Sequence, residues 1–287
     1  MIKEIIDKLV ALLAVSALLA SCSESELWQN PQTEARDGYI MLNFKTEIPA
    51  MQEVVTRAVD PDGGGVQDMT LFCFDSYGLF ISTVKAGVTV QKPGPGEMEG
   101  TFKAEVPENT RTIHFLANQN MDEFKEDSFR NKSESEVMAV LEGSSGRMIY
   151  WGRFACDAGN DSNIAEQMAT SGNSVKLIRN HARISVDNPD NNGHIVITGF
   201  AVCNTNAFGT VAPHHPKKGF DFTWPSSDDP FVTLPVNDAK MSDITDVTSS
   251  MNQYVFECEN SADAPVSVIL RAVSYTHLRA HETLRHL

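Results

Sequence analysis

Cys22 is the residue of this 287-residue chain whose chemistry its surroundings define best. A cysteine thiolate is a nucleophile, and here it follows Ser21 directly at the end of an apolar run, Leu9–Ala20. Arg57-Ala58 is a second candidate. Arg57 precedes the Asp60–Gly65 turn in what reads as an exposed linker, accessible to a protease, and its plain reading there is a solvated loop arginine. Phe220, Phe222 and Trp224 could form a platform for a glycan or protein ligand, or could fill a core. Metal chemistry finds less. Asp60, Asp62 and Asp68 lie near glycines but lack the alternating ligands and distant glutamate of a calcium loop. His281-Glu282 with His286 spaces the histidines five apart, where a zinc-protease helix needs four. His214-His215 has no acidic or cysteine neighbour at metal spacing. There is no G-x-S-x-G elbow, no phosphate-binding glycine loop and no Cys-x-x-Cys pair. The sequence therefore predicts no metal, no cofactor and no enzyme.

The elements around Cys22 say how its thiol would be used. Lys3 and Lys8 precede an apolar stretch of twelve residues, Leu9–Ala20. A bilayer-spanning helix needs about 20. A basic start, a short apolar stretch and small residues at its end make a signal peptide over residues 1–21, cut between Ser21 and Cys22. Leu19-Ala20-Ser21-Cys22 also resembles the bacterial lipobox, which implies acylation of Cys22 and an outer-membrane lipid anchor. Ser23-Glu24-Ser25-Glu26 resembles the acidic tag of lipoproteins displayed on the cell surface. Residues 22–38 are polar, acidic and aperiodic, so they read as a lipidated flexible tether. Its sixteen residues after Cys22 could extend at most ~55 Å. The formal charge of −15 argues against nucleic acid or anionic lipid as a partner, because both reward clustered Lys and Arg. Export permits disulfides among Cys73, Cys156, Cys203 and Cys258. Cys73 and Cys203 lie in apolar strand-like runs, so buried free thiols fit as well.

Past the tether, strand patterns dominate. Ile40, Leu42 and Phe44 alternate with Met41, Asn43 and Lys45, as a half-buried strand requires. Met69–Phe74 is apolar on both faces and reads as a central strand. Asp75-Ser76-Tyr77-Gly78 is a turn, and Leu79–Val84 returns as a hairpin partner. Thr101–Val106, Thr112–Asn118, Met148–Cys156, Val175–Arg179, Ala182–Asp187, His194–Cys203, Tyr254–Glu257 and Pro265–Arg271 follow as further strands. One helix stands out, with Ser133 and Glu136 forming a capping box ahead of Val137, Val140 and Leu141. Asp157–Gly172 is polar and glycine-bearing, and reads as a domain boundary. The segment Pro213–Pro235 carries five prolines and reads as a long loop. Short strands with frequent turns indicate an all-β fold of sandwiches, with residues 39–160 and 173–272 as the two domains.

The last residues are set apart. Val273–Leu287 resembles one reading frame through a transposon-based sequencing adapter, and holds three of the eight histidines. The expectation is that residues 273–287 are an artefact, that the second domain is truncated, and that the natural C-terminus is missing.

Tyr39–Thr46 with Thr56-Arg57-Ala58 and Met69–Phe74 resembles the N-terminal region of Bacteroidales fimbrillins, the type V pilins. Ile113–Asn118 with Gln119 resembles their "FLAN" strand. Leu177-Ile178-Arg179, Ala182, Ile184 and Ile197-Thr198-Gly199-Phe200 resemble the opening of their second domain. The resemblance implies two transthyretin-like β-sandwich domains, with one short helix in the first. It further implies a fimbrial subunit assembled by strand exchange with other pilin subunits, after an arginine-specific protease cuts the N-terminal strand. Carried onto this chain, the cut falls between Arg57 and Ala58, and the exchanged strand carries Ile40, Leu42 and Phe44. The alternative is a non-polymerising surface lipoprotein that binds host protein or glycan through Phe220, Phe222 and Trp224.

Overall fold

The computed structural model describes residues 35–48, 65–91, 100–122, 124–144, 148–186, 195–215, 230–238 and 252–274. The chain is all-β. Strict alternation builds its first strand, β1 (Tyr39–Glu47), in which Ile40, Leu42, Phe44 and Thr46 turn inward and are buried. β1 pairs antiparallel with β5 (Gly100–Pro107) over seven residue pairs, from Tyr39↔Pro107 to Lys45↔Thr101. β5 in turn carries β4 (Gly87–Gln91) on its other edge.

The opposing sheet is centred on strands buried on both faces. β2 (Met69–Phe74) is buried at all six residues and lies between β3 (Phe80–Lys85) and β6 (Thr112–Ala117). The β2–β3 hairpin turns where expected, with the Asp75 carboxylate accepting from the N–H groups of Tyr77 and Leu79. β8 (Tyr150–Ala155) pairs with β6 on the far side. The two sheets face each other across one core that includes Leu42, Phe44, Leu71, Phe102, Ile113 and Phe115.

Asn118, which follows β6 directly, sits where asparagine is well suited. Its backbone has φ of 64°, a left-handed conformation that asparagine tolerates better than most residues. From there its Oδ1 accepts from Gln67 N–H at 2.7 Å, and its Nδ2 donates to Gly65 O at 2.6 Å and Met148 O at 3.1 Å. One side chain thus ties the entries to β2 and β8. Asn118→Ala should cost about 2–4 kcal/mol in urea denaturation, because buried backbone groups lose partners and alanine dislikes this φ. A loss below about 1 kcal/mol would mean water replaces the side chain freely.

Among the described residues two short α-helices are present, where the sequence predicts one. The expected helix, α1 (Glu134–Ala139), has the Ser133–Glu136 capping box. The second, α2 (Ile164–Thr170), lies inside the segment read as a polar boundary. It is capped by Asn163 and Glu166 in the same reciprocal manner. α2 escapes pattern reading because it has only seven residues, framed by polar ones. It nonetheless buries Ile164, Ala165 and Met168 in the core beneath β1. The chain after it does not leave this sandwich at once. β9 (Ser174–Lys176) runs parallel to the end of β1, and β10 (Ile178–Arg179) pairs with β8. The final residues of the expected tether, 35–38, are likewise folded against β1 and β5.

Later residues form strand pairs. β7 (Glu142–Ser144) pairs with β13 (Phe208–Thr210), β11 (His181–Ser185) with β14 (Asn252–Phe256), and β12 (Ile195–Cys203) with β15 (Ser267–Ser274). β15 continues two residues past Ala272, with Val273 opposite Val196 and Ser274 opposite Ile195. Gly209 permits a close approach, since a Cβ there would overlap the Phe256 ring. All four described cysteines are unpaired, with Cys73 and Cys203 buried inside strands.

Candidate functional site

The candidate exchanged strand is an inner strand of its sheet, and its three named residues fill one groove. Ile40 is 6%, Leu42 1% and Phe44 0% exposed. The Phe44 ring stacks on Phe102 of β5 at 5.6 Å and meets Phe115 of the opposing sheet edge-on at 5.0 Å. α2 closes the far end with Met168 and Ile164. Burying three such side chains contributes roughly 2 kcal/mol each.

The two edges of β1 are held unequally. β5 covers one edge from Tyr39 to Lys45, whereas β9 reaches only Lys45, Thr46 and Glu47 on the other. Lys45 N–H donates to Asn173 O at 2.7 Å, and Glu47 O accepts from Leu177 N–H at 2.7 Å. Odd-numbered residues therefore point their backbone groups toward β9. For Met41 and Asn43, no strand pairs with that edge among the described residues. The N-terminal half of β1 is held by the β5 ladder and its side chains; toward the C-terminal end the ladder passes to β9, the two overlapping at Lys45.

A second constellation was not singled out from the sequence. His114 on β6 is fully buried, and both ring nitrogens are engaged. Nδ1 accepts from Trp151 Nε1–H at 3.0 Å, and Nε2 lies 2.7 Å from Glu134 Oε2. An indole can only donate, so Nδ1 is bare and Nε2 carries the hydrogen. Glu134, on the first turn of α1, also receives Arg153 at 2.7 Å and 3.1 Å in a two-point grip. Phe74 and Phe231 pack on the imidazole, the latter nearly parallel to it. Burial lowers the His114 pKa, and the Glu134 hydrogen bond opposes that only in part. Burial works to raise Glu134, but its bonds to His114 and Arg153 prevail and hold it at about 2. With both ring nitrogens committed and the ring sealed, this cluster is a structural brace. The signal for it was a histidine and an arginine inside strands otherwise apolar, each of which needs a partner when buried. Glu134 was the part no pattern could supply.

No protein-family model matches the sequence, and no curated protein matches it. Among solved structures, the tip fimbrial protein Mfa3 of Porphyromonas gingivalis, C-terminally truncated, is similar at 14% identity. That match covers 84% of this chain and 83% of the other, with a TM-score of 0.46. A fimbrial assembly protein of Parabacteroides distasonis ATCC 8503 is similar at 13% identity, over 83% and 86% of the two chains, with a TM-score of 0.42. The likenesses are distant, and the functional reading rests on β1 and its groove.

The remaining sequence candidates fall elsewhere. Ser21, Cys22, Arg57, Ala58, Phe220, Phe222 and Trp224 lie outside the described residues. Of the proline-rich segment, Phe231 and Val232 are buried against the His114 side of the sandwich. His214 is bonded rather than merely solvated, through Nδ1 to Val232 O at 2.6 Å. Among the described residues, no three His, Cys, Asp or Glu side chains are placed to hold a metal ion.

Proposed function

We propose that the chain is a structural, pilin-like subunit, anchored at the outer membrane through lipidated Cys22 and facing the cell surface. Its working part is β1, which serves as a removable strand. The observation that carries this reading is the position of β1: an inner strand whose face, Ile40-Leu42-Phe44, is core, yet whose N-terminal half is laddered on one edge only. Cleavage between Arg57 and Ala58 would make β1 a separate peptide. Its departure would leave β5 with unpaired N–H and C=O groups beside an apolar groove. A strand from another subunit could fill that groove by β-augmentation, with apolar side chains at alternate positions entering the vacated pockets.

The test is limited digestion of the full chain with an arginine-specific endopeptidase, read by N-terminal mapping and unheated SDS gels. The expected result is a new N-terminus at Ala58 followed by SDS-resistant oligomers. Cleavage that leaves only monomer, or resistance of the Arg57–Ala58 bond, would defeat the proposal.

A further inference from the structure

The residues just before β1 form a clamp. Arg36-Asp37-Gly38-Tyr39 is a β-turn in which Arg36 O accepts from Tyr39 N–H at 3.0 Å. Gly38 sits at φ of 79°, which costs glycine little and other residues more. Its carbonyl accepts from Glu108 N–H at 3.0 Å. Glu105 of β5 then takes Arg36 twice. The backbone N–H donates to Oε1 at 2.6 Å, and the guanidinium Nε–H donates to Oε2 at 2.8 Å. The guanidinium carbon lies 4.4 Å from the centre of the Tyr39 ring.

We propose that this clamp is a proteolytic guard, which keeps the Arg36–Asp37 bond uncut and directs an arginine-specific protease past it to Arg57. Hydrolysis would add water across the amide, leaving a carboxylate on Arg36 and an amine on Asp37. To be cut, an arginine must lie extended in the protease cleft, offer its N–H and C=O to that cleft, and put its guanidinium into a pocket. At Arg36 all three groups are already engaged, and the chain is turned rather than extended. Fitting the following residues into the cleft would also lift Tyr39 and Ile40 out of the sheet, and Ile40 is core. The ion pair alone would protect little, since the Arg36 side chain is 70% exposed and surface pairs are weak. Protection comes from the pair, the turn and the seated strand acting together.

The two arginine bonds would have opposite consequences. A cut after Arg36 leaves β1 in its groove and separates it from everything N-terminal, Cys22 included. A cut after Arg57 separates β1 from the rest of its sandwich. This contrast rests on the proposed maturation; the guard at Arg36 does not.

The experiment follows new N-termini at Asp37 and Ala58 by mass spectrometry during digestion of the full chain. A synthetic peptide of residues 30–43 serves as the unguarded reference. Asp37 ends should form on the order of a hundredfold more slowly in the protein than in the peptide, because cutting must await local opening. Glu105→Ala, at a half-buried position, and Gly38→Ala, at an exposed one, should each speed their formation about tenfold without changing the Ala58 rate. Asp37 ends forming in the wild-type protein as fast as in the peptide would overturn the guard. So would variants that leave the rate unchanged. Absence of Ala58 ends, with Asp37 ends still released by the variants, would instead overturn the maturation site and leave the guard standing.

Discussion

Phe44→Ala should lower the unfolding free energy by about 3–5 kcal/mol, the usual loss when a buried phenylalanine is truncated. Phe44 is fully buried, stacks on Phe102 and meets Phe115 edge-on, so the cavity would open between the two sheets where neither can easily collapse. Lys45→Ala, on the solvent side of the same strand, should change stability by less than about 0.5 kcal/mol. The pair measures how deeply β1 belongs to the core, read from urea midpoints at constant m-value. A loss below 1 kcal/mol for Phe44→Ala would mean that the sandwich is stable without β1 seated. A donor strand would then have little stabilisation to restore. The larger loss is what strand exchange requires, because the groove must favour being filled.

Glu134→Ala should be as damaging, at about 3–5 kcal/mol, because it takes from a buried cation the carboxylate that grips it at two points. The Arg153 side chain is 4% exposed and loses both of its bonds to Glu134, while His114 loses its acceptor. Glu134→Gln should cost less, since the amide oxygen still accepts. The same cluster makes stability depend on acid. Glu134 falls from an ordinary value near 4.5 to about 2. Its contribution, roughly 3 kcal/mol by linkage, is complete above pH 4.5 and is lost as pH falls toward 2. His114 is lowered by burial, and His181 is lowered by burial to about 4, both from 6.5. Unfolding lets these imidazoles take up protons. Their contribution is therefore complete above pH 6.5 and declines below it. The urea midpoint should fall in two limbs, one from pH 6.5 toward 4 and one from 4.5 toward 2. Glu134→Gln should flatten most of the lower limb, leaving the smaller part from Glu105 and Glu136, and keep the upper. A profile flat from pH 7 to 4 would show that neither histidine is neutral and buried in the native fold.

Much of this architecture is legible in one dimension because burial imposes a period. β1 alternates because one face is core and one is wet. β2 and β6 are mostly apolar and buried at every residue because they lie inside a sheet covered on both faces. The Asp75–Gly78 turn and the Ser133–Glu136 cap are local, four-residue facts, and local facts survive without tertiary context. α2 was missed for the complementary reason. Seven residues are too few to show a helical period, and its burial becomes visible only when it lies under β1.

By itself, the sequence determined the all-β class, the strands β1, β2, β3, β5 and β6, and the inward face of β1. Each is written in spacing between near neighbours. Tertiary structure alone decided which elements meet. It put β9 on the second edge of β1, 127 residues from Glu47 to Ser174, and brought Glu134 to His114 and Arg153 on two different strands. It also turned the end of an apparent tether into a clamp on Glu105, 69 residues away. A charged side chain announces that it needs a partner, but its partner is chosen by the packing of strands. No period in the sequence encodes that choice.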